Sequence, residues 1–506
     1  MSEKNTLYRS IFSVLFAQLL LLLRGLLIMP VVIKTAGTAV FGAYVVLGSF
    51  ITFIFAVSAF GTNYAYRRNL PSASSLLEQR ALLIPQLIFR LAMTSLVCAA
   101  FLFFDRQIKP IENLIGVDFD CRLMCLWIFG LLANEQATDY YRYTNRIRAF
   151  NFVTVAPLYA FLGAFFLAVL ADTKVDLDLL ISFQAGTLLG ISGLIFIYDI
   201  LAKVGVVCPH TDWGKFFRDA RVGLPIVWGF IFDFLLNTAD RFFIVFFVST
   251  AAVGEYQSAY QVAALLALYA QIIVLVLPAQ LSRLVDHKKT DEAEYLVELC
   301  LHSFIMIALP FISGALLVGP TLVGLLSDLP AAQASRWVVP LIATSMAFYG
   351  IFLIFLQIGF VKGQNSRVQR ANIFALAASL IINTSFLPFF PDIAVPGASK
   401  LIAYILSAWL VLRAVHSIWR IRFNRDKIYR YFAATGLMTI FLLLAGYRPG
   451  AVVEISALEL IIEISAAAIC YLISLALVGG LRKTEVIELI GIVKTRGALN
   501  KPGESG

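Results

Sequence analysis

Long apolar runs, each ended by charge or by a Gly or Pro cluster, set the pattern of this chain. A run of roughly 18–25 residues is long enough to cross a hydrocarbon core as an α-helix. About fourteen such spans are predicted, at residues 9–33, 41–66, 81–104, 121–141, 150–171, 179–202, 223–249, 253–280, 296–326, 336–361, 369–390, 393–415, 429–447 and 456–479. The gaps between them leave no room for a soluble domain. The expected fold class is an all-α polytopic membrane protein.

Several spans carry polar residues where lipid would exclude them. Span 223–249 holds Asp233, Asn237, Asp240 and Arg241. A charge at the bilayer centre costs at least ~2.5–3.5 kcal/mol, so these groups must meet water, a partner or a substrate. Spacings of four and three residues stack Asp233, Asn237 and Asp240 on one helix face, which is expected to line a polar cavity. Arg241 points away from Asp240, its chain neighbour, and needs another partner, in helix packing or in substrate contact. Arg24 lies about fourteen residues into the first span, roughly 20 Å deep, with no charge within a helical turn. It reads either as a cation reaching bidentately for a diphosphate or as an ion pair with a distant carboxylate such as Asp233 or Asp240.

In the fourth span Glu135, Asp139 and Arg142 form one stripe among Asn134, Gln136, Thr138, Tyr140 and Tyr141. Amide, hydroxyl and aromatic groups suit a sugar-binding wall. The plainer reading is a helix end entering water, which fits Asp139 and Arg142 better than the deeper Glu135. Arg90 is close enough to a span end to snorkel. Glu135, Asp233 and Asp240 could also take a coupling ion, a proton or sodium.

Composition fits the pattern: 60% of the 506 residues are hydrophobic and 14% charged, with a mean hydropathy of +0.85. The net charge of +9 sits mainly in alternate connections, among them Arg67/Arg68/Arg80, Arg142/Arg146/Arg148 and Lys203/Lys215/Arg218/Arg221. The intervening loops are acidic or nearly free of basic residues, so the positive-inside rule puts both termini in the cytoplasm. The basic balance thus reports topology and contact with anionic membrane lipids, and nucleic acid is not an expected partner. The first apolar run is too long, and lacks the processing site, for a cleavable signal peptide. Six cysteines and four histidines show neither a disulfide framework nor metal-ligand spacing, and Cys121 and Cys125 read as small buried hydrophobes. No catalytic residue, metal or cofactor is predicted, and no phosphate-cradling loop for ATP is present.

Thr38 to Tyr44 and Ala251 to Tyr256 echo each other: both follow an outward span, carry Ala-Val and Gly-x-Tyr, and open a span that returns to a basic loop. Lying six spans apart in the same direction, they predict two parallel six-helix bundles around a central cavity, with two additional C-terminal helices. The expected domains are 1–202, a cytoplasmic linker 203–222, a second bundle 223–420, and 421–506 with the last two spans and a cytoplasmic tail.

Gly223-Leu224-Pro225, the run Leu236-Asn237-Thr238-Ala239-Asp240-Arg241-Phe242, Gly254-Glu255-Tyr256 and Leu277-Pro278 with Leu281-Ser282-Arg283-Leu284 resemble the bacterial polysaccharide biosynthesis and O-antigen flippase family. Weaker likeness runs through Gly359 to Gln364 and Pro396-Gly397-Ala398 with Tyr404, and the first half echoes it at Pro30, Gly42-Ala43-Tyr44, Gly61 and Arg67. That family belongs to the multidrug/oligosaccharidyl-lipid/polysaccharide exporter superfamily. The resemblance implies a MATE-like fold and a flippase, not an enzyme, that carries undecaprenyl-diphosphate-linked sugar repeats to the periplasmic leaflet of the inner membrane. It would act by alternating access in O-antigen, capsule or exopolysaccharide assembly, next to a polysaccharide polymerase. Arg24, Glu135, Asp233, Asn237, Asp240 and Arg241 are the expected substrate-binding residues.

Two rivals stand beside this reading. A cation antiporter on the same fold would want an anionic pocket without a central arginine. An integral-membrane glycosyltransferase or polymerase could use the pairs Asp118/Asp120 and Asp176/Asp178, but would want a larger outer loop than the longest one here, about sixteen residues.

Overall fold

The computed structural model describes residues 3–73, 75–103, 116–204, 213–361, 365–416 and 424–480. Helices dominate, as a chain in lipid requires, because an α-helix satisfies its backbone polar groups internally. Among the described residues, ten helices are long and apolar enough to cross a membrane, or up to eleven if the bent pair Phe216–Leu224 and Val227–Phe247 is one span. Fourteen spans are compatible with this count. The helix at Cys121–Tyr143 is long enough but more polar, and Leu23–Val57, taken as one run, contains a break.

That break is Gly37, whose φ of 88° lies where glycine is at ease. It divides Glu3–Val57 into α1 (3–36) and α2 (38–57). On a straight helix Arg24 and Tyr44 would stand ~30 Å apart. Both instead bond Gln184, so the chain doubles back at Gly37 and makes two spans.

The helices pack into two compact units, Ser10–Gly254 and the described part of Glu255–Gly506 with Met1–Arg9. In the first, α2 is followed by a short helix α3 (Thr62–Asn69), then α4 (Leu76–Phe103), α5 (Cys121–Tyr143), α6 (Ile147–Leu170), α7 (Leu177–Val204) and α8 (Trp213–Phe247). Helix α8 begins well before the predicted span at 223, because Trp213, Phe216 and Phe217 form an aromatic cluster that also holds Phe89 of α4. Helix α7 widens to π-helical turns at Leu188–Gly193 and Phe196–Leu201.

Two backbone approaches pin α2 and α3. At the Gly37 end, a Cβ on Gly42 would lie 2.0 Å from the Thr250 carbonyl oxygen, and one on Gly254 would lie 2.2 Å from that of Thr38. The contact is reciprocal and joins the two echoing segments. At the opposite end the chain turns through left-handed Phe60 and Gly61, and a Cβ on Gly223 would meet the Gly61 oxygen at 2.2 Å.

The second unit contains α9 (Thr250–Ala263, which begins in the first unit), α10 (Leu265–Asp286), α11 (Thr290–Leu317), short α12 (Gly319–Leu326) and α13 (Leu329–Ala334), α14 (Val338–Val361), α15 (Asn365–Phe386), α16 (Ala394–His416), α17 (Arg425–Leu444) and α18 (Ala457–Leu477). Helix α14 packs on α10, α11 and α16, and α15 packs on α16. The last two spans lie on α11, where Tyr431, Met438, Tyr471 and Leu475 join one apolar cluster. Ser313 and Thr439 share a hydrogen bond of 2.7 Å, and the Tyr471 hydroxyl donates to the Met306 carbonyl at 2.6 Å. Outward faces such as Ile461, Ile462, Leu472 and Leu477 stay exposed, as lipid contact demands.

Candidate functional site

Arg24 is held by a neutral group. Its Nη2 donates to Gln184 Oε1 at 3.0 Å, and the Tyr44 hydroxyl donates to the same oxygen at 3.0 Å. Two donors on one atom fix the amide, since only the oxygen can accept both. Gln184 is buried on α7, and the Tyr159 hydroxyl of α6 ties the Leu20 carbonyl one turn from Arg24. Around this polar point stands an aromatic wall: Tyr44 stacks on Trp127 at 5.5 Å and on Phe161 at 6.2 Å, and Phe161 stacks on Phe165. The Arg24 guanidinium lies 5.8 Å from the Phe161 ring centroid. Arg24 makes no ion pair among the described residues, and its buried Nε has no hydrogen-bond partner there. Leaving such a donor unmet costs about 1–3 kcal/mol. Of the two expected states of Arg24, the ion pair with Asp233 or Asp240 is not formed.

Glu135 sits elsewhere. Its Oε2 accepts from Arg90 Nη2 at 2.7 Å, and its Oε1 from Asn63 Nδ2 at 2.7 Å and Arg67 Nη2 at 3.3 Å. Arg67 Nε also donates to Asp139 Oδ2 at 2.7 Å, and Gln86 Nε2 to Asn63 Oδ1 at 2.6 Å. Arg90 is 0% exposed, 4.2 Å over the Phe55 ring and bonded to Ser58. The expectation that Arg90 snorkels is therefore corrected: an acid on the facing helix pairs with its Nη2 inside the protein, although its Nε has no hydrogen-bond partner among the described residues. Asp139 likewise does not face water, because Arg67 turns inward from what reads as a loop of basic residues. Arg142 is exposed and packs over Tyr143 and Phe150, as a helix end should. Glu135 is thus the hub of an ion-pair network joining α3, α4 and α5, rather than an open sugar wall.

The four polar residues of α8 form a third group. Asn237 Nδ2 donates to the Asp233 carbonyl at 2.8 Å, and Arg241 Nη1 to the Asn237 carbonyl at 3.1 Å. Arg241 Nη1 lies 3.9 Å from Asp240 Oδ1, beyond hydrogen-bonding range, as expected of chain neighbours. Asp240 and Arg241 are both buried. The Asp233 carboxylate is half-buried and makes no ion pair or hydrogen bond among the described residues. Among those residues neither Arg24 nor Glu135 bonds any of the four.

Sequence reasoning named Tyr44 and Arg67 for the family pattern and the basic loop but not as site residues, and it passed over Gln184 and, in the second unit, Lys400. Lys400 is 2% exposed, with Nζ 4.7 Å from the Tyr260 ring centroid. A lone lysine inside span 393–415 is the cue that could have found it. The Asp-x-Asp pairs prove to be helix ends. Asp120 caps α5 by accepting from Arg122 N, Asp176 caps α7 by accepting from Leu179 N, and Asp178 accepts from Asp120 N.

Comparisons with known proteins agree on the fold. A structure described as the lipid II flippase MurJ in an inward closed conformation matches with a TM-score of 0.72 at 16% identity, covering 93% of this chain and 98% of that one. An inward-facing multidrug resistance MATE family transporter matches with a TM-score of 0.62 at 13% identity, over 79% of this chain and 95% of that one. No curated protein sequence matches. The family model for polysaccharide biosynthesis proteins matches residues 7–285, which include Arg24, Glu135 and Asp240-Arg241, and with the MurJ and MATE likeness of its fold this chain is a multi-pass membrane protein that belongs to the polysaccharide biosynthesis protein family.

Proposed function

We propose that this protein is a flippase that moves a lipid-linked oligosaccharide from the cytoplasmic to the periplasmic leaflet of a bacterial inner membrane, for O-antigen, capsule or exopolysaccharide assembly. The observation that carries this reading is Arg24: a guanidinium inside a span, oriented by neutral Gln184 and left with an unmet N–H. A cation that no carboxylate neutralises suits an anion with several oxygens, such as a diphosphate. The Tyr44–Trp127–Phe161 wall beside it suits the apolar face of the first sugar. The polyprenyl tail stays in lipid, so its apolar surface never crosses water. Asp233, half-buried and without a partner among the described residues, is our candidate for the coupling proton or sodium ion. Asn237, Asp240 and Arg241 serve substrate contact or gating along α8, and Glu135 supports the site by holding its helices. Both termini are cytoplasmic in this reading, and a polysaccharide polymerase is the expected partner.

The likeness to a MATE transporter keeps one alternative, antiport of a small organic cation. Arg24 opposes it, since a fixed cation repels that cargo. The experiment is leaflet-resolved transfer of a fluorescent polyprenyl-diphosphate oligosaccharide in proteoliposomes, with and without an ion gradient. Protein-dependent transfer supports the flippase. Absence of transfer together with gradient-driven uptake of an organic cation replaces it with the antiporter.

A further inference from the structure

Cys98 of α4 and Cys125 of α5 face each other across the seam between their helices. Cys98 Sγ approaches the Cys125 carbonyl at 3.9 Å, and Cys125 Sγ approaches the Cys98 carbonyl at 3.8 Å. Both stand as free thiols in the structure. Such reciprocal reach, each sulfur touching the other residue's backbone, brings the two Cα atoms close, as a disulfide needs.

We infer that Cys98 and Cys125 form an intramolecular disulfide that staples α4 to α5. Both lie about four or five residues, ~6–8 Å along the helix, from the ends joined by residues 104–120. Those ends are opposite the basic connections around Arg68 and Arg80, so in the orientation proposed above, on which this inference rests, they face the oxidising compartment outside the membrane. The co-reactant is a protein disulfide of the thiol-oxidant class. One cysteine thiolate attacks it and releases one donor thiol. The second cysteine thiolate then attacks the mixed disulfide and releases the other. Two protons and two electrons leave the pair, and the donor disulfide is reduced to a dithiol. Since Cys98 and Cys125 are 4% and 7% exposed, exchange takes place during assembly, before α4 and α5 close.

The inner stretch of the same seam is held by Arg90 and Glu135. Covalent closure at one end and an ion pair further along make α4 and α5 one rigid body, so oxidation is compatible with transport.

The test is to quench cells in acid, denature the full-length protein, alkylate free thiols and map its peptides by mass spectrometry without reductant. A peptide linking Cys98 to Cys125, lost on reduction and absent from Cys98→Ser, is expected, with transport equal before and after reduction. Full alkylation of both cysteines, or a link from Cys98 to Cys121, overturns the pair. Asp118→Cys in a Cys98→Ser/Cys125→Ser background, labelled in intact cells with a membrane-impermeant maleimide, reads the orientation separately. Free thiols beside a labelled residue 118 reject the disulfide alone. An unlabelled residue 118 rejects the orientation, and the peptide map still decides the pair.

Discussion

Removing the charge of Glu135 should be among the most damaging single changes this protein can suffer. Arg90 is fully buried and has Glu135 as its ion-pair partner, at 2.7 Å, whereas Arg67 is 39% exposed and bonds Asp139 as well. Two unit charges ~4 Å apart interact by about 4 kcal/mol at an effective dielectric of 20, and stranding a buried partner typically costs ~3–5 kcal/mol. Glu135→Gln keeps the shape and a hydrogen-bond acceptor but leaves Arg90 uncompensated, so a loss of ~3–5 kcal/mol is expected. Arg67→Gln leaves the Arg90–Glu135 pair in place but strands Asp139, whose side chain is 10% exposed; a carboxylate, unlike a guanidinium, can shed its charge by taking up a proton, so a smaller loss of ~1–3 kcal/mol is expected. Arg90→Met with Glu135→Leu removes both charges and should recover most of the loss, because apolar pairs of similar volume often replace buried ion pairs at little cost. Unfolding by SDS titration in mixed micelles, run as a double-mutant cycle, measures each value. Equal losses from Glu135→Gln and Arg67→Gln, or a double variant weaker than Glu135→Gln, would refute the assignment of Arg90 as the stranded charge.

Arg24→Gln should abolish transfer of the diphosphate-linked lipid while leaving membrane insertion intact, and Arg24→Lys should not restore it, because an ammonium lacks the planar fork. Gln184→Leu should lower transport by at least tenfold with Arg24 still present, read in the proteoliposome assay, since it frees the guanidinium and the Tyr44 hydroxyl together. Asp233→Asn should remove the response to an imposed gradient while slow downhill exchange persists; an unchanged gradient response would exclude it as the coupling group. Gly254→Val, whose side chain would fall 2.2 Å from the Thr38 oxygen, should prevent accumulation of folded protein, whereas Gly163→Ala, with nothing within 4 Å, should be tolerated or slightly stabilising.

The spans and the echo were legible because lipid imposes its pattern on every helix locally: length, hydropathy and charge at the ends are properties of neighbouring residues. Long-range partners are not. Arg90 and Glu135 are separated by 45 residues, Arg67 and Asp139 by 72, and Arg24 and Gln184 by 160. No spacing rule reaches that far, so Arg90 read as a snorkelling side chain and Arg67 as one more topogenic charge. The predicted site residues are real features of their spans, but the structure distributes them into three groups. One of these, around Glu135, is closed by arginines. The partner of Arg24 was illegible for a further reason, since a glutamine inside a span draws little attention beside charged residues.

The crossing of Gly42 and Gly254 has the form of contact that twofold-related molecules make: residue i meets a point four residues before j, and j meets the point four residues before i. Two copies of one hairpin, placed back to back, would meet at the same bare patch. The crossing therefore preserves the shape of a homodimer seam inside a single chain. Each glycine admits the backbone of the other segment, so the same requirement is met twice, once from each side of the crossing. The residues that follow differ between the two copies, Ala43-Tyr44 after one glycine and Glu255-Tyr256 after the other, whereas the glycine itself stands in both.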